Sequence, residues 1–177
     1  MKKYILIMSL FLEIGLTIAN DVYSDSDILG WGKVTWGMTH SQVSKIYKIS
    51  EWDEKYLNCK LREKITIQGE QFSVVFQFDQ KSSSGKLIGV SLPFSVENVT
   101  ENHFDKIRDS ITSKYGSPNF SEKKVDSLIE VIKNKNTWVK KSGKIEFQTI
   151  HDWNPTKKKF ILFGFILYSA NLDKDKL

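Results

Sequence analysis

Cysteine is nearly absent: Cys59 stands alone among 177 residues, so no disulfide can form within the chain. Stability must come from an apolar core, which 40% apolar and 12% aromatic residues can supply. Arginine is as scarce. Only Arg62 and Arg108 occur among 26 basic residues, so bidentate recognition of phosphate or guanine is poorly provided and no nucleic-acid partner is expected. The net charge of +5 is too mild to imply a polyanion by itself. With 3 prolines and 10 glycines, the chain is neither a collagenous repeat nor a disordered linker.

Reactive constellations are missing too. His40, His103 and His151 share no ligand spacing, no glycine-rich phosphate loop occurs, and no serine sits in a G-x-S-x-G elbow. His151-Asp152 is the one local pair resembling a base and its orienter. Glu51, Asp53 and Glu54 lack the spacing and glycine of a calcium loop and read as a solvated linker. Cys59 reads as a small buried hydrophobe. Catalytic, metal and cofactor residues are therefore expected to be none, and the chain is expected not to be an enzyme.

What is present begins with an export signal. Lys2 and Lys3 precede an apolar run from Tyr4 to Leu12, and Thr17-Ile18-Ala19 offers small residues where a signal peptidase reads. This predicts a signal peptide over residues 1–19, a polar leader over 20–30, one domain over 31–170 and a polar tail over 171–177. Glu13 interrupts the apolar stretch, and the alternative is an uncleaved amphipathic helix. The run is far shorter than the roughly 20 residues that span a bilayer, so no transmembrane anchor is expected after cleavage. A periplasmic or secreted location follows.

Within the domain, Gly32 to Trp36 reads as a short strand. Thr39-His40-Ser41-Gln42 is a capping box, with Met38 and Val43 as its hydrophobic staple, predicting a helix that ends near Ser50. The period then changes to two. Leu61 to Phe94 reads as a three-stranded meander with reversals at Gly69-Glu70 and Ser82 to Gly85; Phe72, Val74, Phe76 and Phe78 share a face, as do Ile88, Val90, Leu92 and Phe94. Pro93 marks an edge or the end of the third strand. A second helix is predicted with Thr100 as N-cap, an apolar face of Phe104, Ile107, Ile111 and Tyr115, and a stop at Gly116 and Pro118.

Ser121 to Lys135 fits either a helix or, in its second half, a strand. Trp138-Val139 and Ile145 to Thr149 form a hairpin, Asp152 to Pro155 is a turn cluster, and Phe160 to Tyr168 is a strand buried on both sides. The fold class is α+β: an antiparallel sheet of about six strands with two helices packed on one face. Each half places a helix before a meander, which suggests an internal duplication.

Two stretches carry a resemblance. Trp36-Gly37-Met38-Thr39 followed by Val43 resembles the W-G-M-[ST]-x-x-x-V start of small exported bacterial domains, including outer-membrane assembly lipoproteins of the BamE/SmpA type. Lys114-Tyr115-Gly116-Ser117-Pro118 resembles the K-Y-G-x-P helix end of the same loose group. The resemblance implies an exported α+β domain. It carries no reactive group, and the lipidated cysteine of the assembly lipoproteins has no counterpart in the leader.

Five tryptophans remain to be placed. Trp36 and Trp138 fall in strands, whereas Trp31, Trp52 and Trp153 fall in polar loops and are the candidate interaction residues if they cluster. Lys157, Lys158 and Lys159, with Lys140 and Lys141, could give weak contact with an anionic surface. The expected function is a non-enzymatic binding module of the bacterial envelope whose partner is another protein. The alternatives are a secreted inhibitor or immunity protein, a carrier whose Phe72 to Phe78 and Phe160 to Phe165 faces enclose a lipid or small apolar ligand, and a small hydrolase using His151.

Overall fold

A computed structural model describes residues 27–171, apart from positions 51, 54, 56, 83, 98, 101, 127–130, 155, 157 and 158. The signal segment, most of the leader and the tail lie outside the described residues.

Asp27 and Ile28, at the end of the expected leader, are already part of the domain. Ile28 is fully buried, and the Asp27 carboxylate accepts from the Ser142 amide and hydroxyl at 2.8 and 2.6 Å. The expected single strand at Gly32 to Trp36 is instead a minimal hairpin of β1 (Gly30–Trp31) and β2 (Val34–Thr35). Gly32, at φ +58, makes the reversal in a region that costs a side-chain-bearing residue energy.

Helix α1 (His40–Ile46) starts as its sequence demands. The Gln42 amide donates to the Thr39 hydroxyl at 3.3 Å, and the Thr39 amide donates to Gln42 Oε1 at 2.8 Å, closing the capping box. It ends before Ser50, because Tyr47 is already extended and Ile49 bridges to Leu61.

The expected meander divides. β4 (Ile65–Ile67) and β5 (Glu70–Phe72) form a separate two-stranded hairpin, while β3 (Asn58–Lys60), which the pattern missed, pairs with β6 (Val75–Phe78). Phe72, Val74, Phe76 and Phe78 are all buried despite the break between β5 and β6. β7 (Leu87–Glu97) continues the main sheet, with a register shift after Gln77 that sets Leu87 opposite Phe78. Leu87 is therefore buried in place of Ile88. Pro93 lies beyond Ser91, the last β7 residue paired with β6 on this side, where a missing N–H breaks no ladder to that neighbour.

Thr100 does not cap the second helix. Its carbonyl and that of Asn102 accept from His103 and Asp105 in a preceding turn, and α2 (Asp105–Tyr115) begins without a side-chain cap. It closes as predicted at Gly116, whose φ is +80 and whose amide donates to Thr112. The ambiguous run then resolves into two strands, β8 (Phe120–Asp126) and β9 (Val131–Val139). β10 (Gly143–Asn154) runs through Asp152-Trp153-Asn154, so these three residues of the expected turn cluster are strand, and Pro155 lies outside the described residues. β11 (Lys159–Ala170) follows.

The main sheet among the described residues has seven antiparallel strands, one more than about six, in the order β3-β6-β7-β11-β10-β9-β8. The last strands of the two halves, β7 and β11, lie side by side. Antiparallel partners share a face, so Phe76↔Val90, Leu92↔Ile166, Ile166↔Phe147 and Ile145↔Trp138 define one continuous inner face. These side chains are buried. Phe104 lies tilted against Phe94 with ring centres 4.2 Å apart, and Tyr47 and His40 contact Phe76 and Phe78 at 5.7 Å each. β11 is buried on this face alone. On the other face Phe163 remains 38% exposed and Phe165 and Leu167 half-buried, which corrects the expectation of burial on both sides.

Candidate interaction surface

The loop tryptophans do not converge. Trp31 packs between Tyr47 and Phe76, with ring centres 5.9 and 6.0 Å away, and Trp52 packs on His40 and Phe78, both at 5.1 Å. Trp153 lies in β10 opposite Phe160, beyond the Ile161↔Glu97 pair. Leu87 and Glu97, at the two ends of β7, are roughly 30 Å apart at about 3.3 Å per residue. Trp31 and Trp52 thus finish the core around β6, and Trp153 sits at the opposite end of the sheet. Lys157 and Lys158 lie outside the described residues; Lys159 opens β11.

The reactive candidates are set apart in the same way. His151 and Asp152 are successive residues of a strand, so their side chains leave opposite faces of the sheet. Cys59 is 1% exposed opposite Phe76, and burial pushes its thiol up to about 12, leaving it protonated at neutral pH. Asp53 pairs through its backbone with Asn58, while positions 51 and 54 lie outside the described residues. Among the described residues no cluster of three or more metal-ligating side chains occurs. No helix there is long and apolar enough to cross a membrane. Phe72, Phe76 and Phe78 are packed against other rings.

Two surface features carry more information. One is the outer face of the sheet, where alternation along β11 sets Phe163, Phe165 and Leu167 in a row beside Ser95, Pro93 and Ser91 of β7 and Ile150, Gln148 and Glu146 of β10. Pro93 and Ile150 widen this apolar row, and Ser91, Ser95, Gln148 and Glu146 are its polar neighbours. The sequence alone displayed an apolar run there, without saying which of its residues faced outward.

The other feature is the β8 end of the sheet. On its outer side Glu146 is held by Lys135 at 3.0 Å and Lys144 at 3.2 Å, beside an open cleft of about 570 Å³ lined in part by Phe120, Thr137 and Val139. Burial raises the Glu146 pKa, but hydrogen bonds and charge from both lysines outweigh it and hold the carboxyl below its usual value. On the inner side a second cleft of about 370 Å³ lies between Arg108 of α2 and the strand residues Ser121, Asn134, Asn136 and Thr149. Ser121 donates to Asn136 Oδ1 at 3.0 Å, and Asn134 donates to the Thr149 hydroxyl at 3.4 Å. Both clefts present hydrogen-bonding groups beside an aromatic ring, an arrangement suited to recognition. Sequence reasoning missed this region because Ser121 to Lys135 satisfied two periods at once.

No family model matches this chain, and no match was found among curated proteins or solved structures.

Proposed function

We propose that this chain is an exported protein of the bacterial envelope and a non-enzymatic binding module whose partner is another protein. The observation that carries the reading is the Phe163, Phe165 and Leu167 row on the outer face. Phe104, Tyr47 and His40 all contact inner-face rings, which supports placing both helices on that one face. A half-exposed apolar row, widened by Pro93 and Ile150 and bordered by Ser91, Ser95, Gln148 and Glu146, has the anatomy of a protein contact surface. The order of strands supports a duplicated helix and meander, with the halves meeting at β7 and β11. Export is supported by Lys2, Lys3, the apolar run and Thr17-Ile18-Ala19.

A photo-crosslinking residue in place of Phe163, expressed in the producing cell, tests this directly. The expected result is one discrete adduct with an envelope protein, lost on adding Phe165→Lys, from a chain whose intact mass begins at Asn20. A cytoplasmic chain retaining residues 1–19 and forming no adduct would overturn it.

A further inference from the structure

β8 is the outermost strand at one end of the sheet, and it is open along its whole length. Its seven residues run in unbroken register against β9, from Phe120↔Thr137 to Asp126↔Val131, without a bulge or a proline. All seven are exposed, Phe120 and Val125 at 68% and 62%. β3, the strand at the other end, has only three residues. Sheet edges are usually blunted by shortness, bulges, proline or lysine, and β8 has only the lysines. A lysine turns away a strand that sets like charge against it, but not one that brings the complement. β8 itself carries both signs.

The ladder fixes which main-chain groups of β8 turn outward. Hydrogen-bonded and non-hydrogen-bonded pairs alternate along antiparallel strands. The Lys140 amide donates to the Gly143 carbonyl at 2.9 Å, so this pair is of the bonded kind, as is every second pair of β9 with β10 beyond it. The intervening β9 residues Val131, Lys133, Lys135 and Thr137 therefore direct their main-chain groups at Asp126, Lys124, Glu122 and Phe120 of β8. Ser121, Lys123 and Val125 direct theirs to the other side, where no described strand lies.

A second copy of β8 running antiparallel must match those three residues with one another, which puts the two-fold axis on a residue. With the axis on Lys123 all seven residues overlap, Ser121 lies opposite Val125 and Glu122 lies opposite Lys124, each twice. Moving the axis to Glu122 sets that carboxylate against itself. Moving it to Lys124 sets Lys124 against itself and Glu122 against Asp126. Opposite charges facing each other are favourable and like charges are not, so charge selects the axis at Lys123, whose own self-pair is the one like pair of that register. Glu122 and Lys124 already pair within the chain at 2.9 Å, and the register joins two such pairs into a neutral quartet. They occupy non-hydrogen-bonded positions, where facing side chains come closest. Diagonally, the exposed Phe120 ring meets the aliphatic stem of Lys124 of the second copy.

We infer that β8 is the contact strand of a two-fold homodimer, in which the main sheets of two copies join antiparallel about Lys123, with Glu122 of each copy against Lys124 of the other. Four main-chain hydrogen bonds link Ser121 and Val125 across the axis. This interface is separate from the outer-face row and does not depend on it.

Two seven-residue edges make a small contact, so sedimentation equilibrium of the purified protein is expected to show a monomer–dimer equilibrium with a dissociation constant of roughly 1–100 μM. Glu122→Lys and Lys124→Glu each set like charges opposite one another and should weaken the dimer at least about tenfold. Mixed in equal amounts, the two variants recover it, since each carries the complement of the other; misfolding cannot produce that result. Lys123→Cys brings two Cα atoms to about 5.5 Å and gives a disulfide-linked dimer on mild oxidation. Ser121→Cys, about 13 Å from its own copy along the strands, does not. A monomer up to about 1 mM, a dimer indifferent to Glu122→Lys, no recovery on mixing, or equal linkage at the two cysteines would each overturn the proposal. A crosslink from Phe163 to an envelope protein in a chain that stays monomeric overturns this proposal and leaves the broader reading standing.

Discussion

The indole Nε1 of Trp138 donates to the Gly116 carbonyl at 2.8 Å, tying the end of α2 to the inner face of β9. Trp138 is fully buried, and Gly116 is the residue whose positive φ stops the helix. One contact thus joins the K-Y-G-x-P end to the strand that carries the tryptophan.

Trp138→Phe keeps much of the apolar volume but leaves the Gly116 carbonyl without its partner, and should cost about 1–3 kcal/mol. Trp138→Ala adds a cavity and should cost about 3–5 kcal/mol. Urea unfolding followed by circular dichroism measures both; a Trp138→Phe loss near zero would mean that the hydrogen bond contributes nothing.

Thr39→Ala removes the hydroxyl half of the capping box on α1. A loss of about 1 kcal/mol is expected, recovered by Thr39→Ser. Thermal or denaturant unfolding of the two variants side by side provides the measurement.

Glu146 gives stability a pH dependence of known sign. Its carboxyl is held below the usual 4.5 by Lys135 and Lys144 against the opposing effect of burial. The contribution is therefore complete above the unfolded value and is lost as pH falls through the folded one. With Lys135→Ala and Lys144→Ala combined, burial acts without those lysines, and the pKa should rise above 4.5. Carbon-detected NMR titration of the Glu146 side chain reads the change of sign.

Cys59 should resist modification in the native state. At pH 8 an aromatic disulfide reagent is expected to leave the thiol unmodified until denaturant is added, since burial both shields it and holds the proton. Rapid labelling of the folded chain would contradict its position opposite Phe76.

Gly164 lies where a Cβ would collide with the Gln148 carbonyl and the Phe94 ring. Gly164→Ala should separate β11 from β10 and destabilise the fold severely, visible as a lowered melting temperature; a variant that melts with the parent would show that these strands have room to adjust.

Local signals were legible wherever they act within a few residues. The capping box at Thr39, the stop at Gly116 and the alternating row of Phe76 and Phe78 in β6 follow from bonds and spacings a turn or two long. Thr100 misled because a threonine before an apolar periodic run caps a helix or heads a turn with the same side chain. Leu87 misled because an extra residue changes the buried position without changing composition. The site was hardest to see: Trp31 and Trp52 sit in polar loops by sequence and are half-buried against the core by structure, since distant rings on β6 reach them.

By itself, the sequence determined an α+β chain, a core built without disulfides, the capping box that opens α1 and the glycine that closes α2, because those properties depend on composition and near neighbours. Only the tertiary structure decided that the two halves meet at β7 and β11, that Phe163 faces away from the core, and that β8 stands free at an edge. These depend on which strand lies beside which, and long-range pairing leaves no local trace.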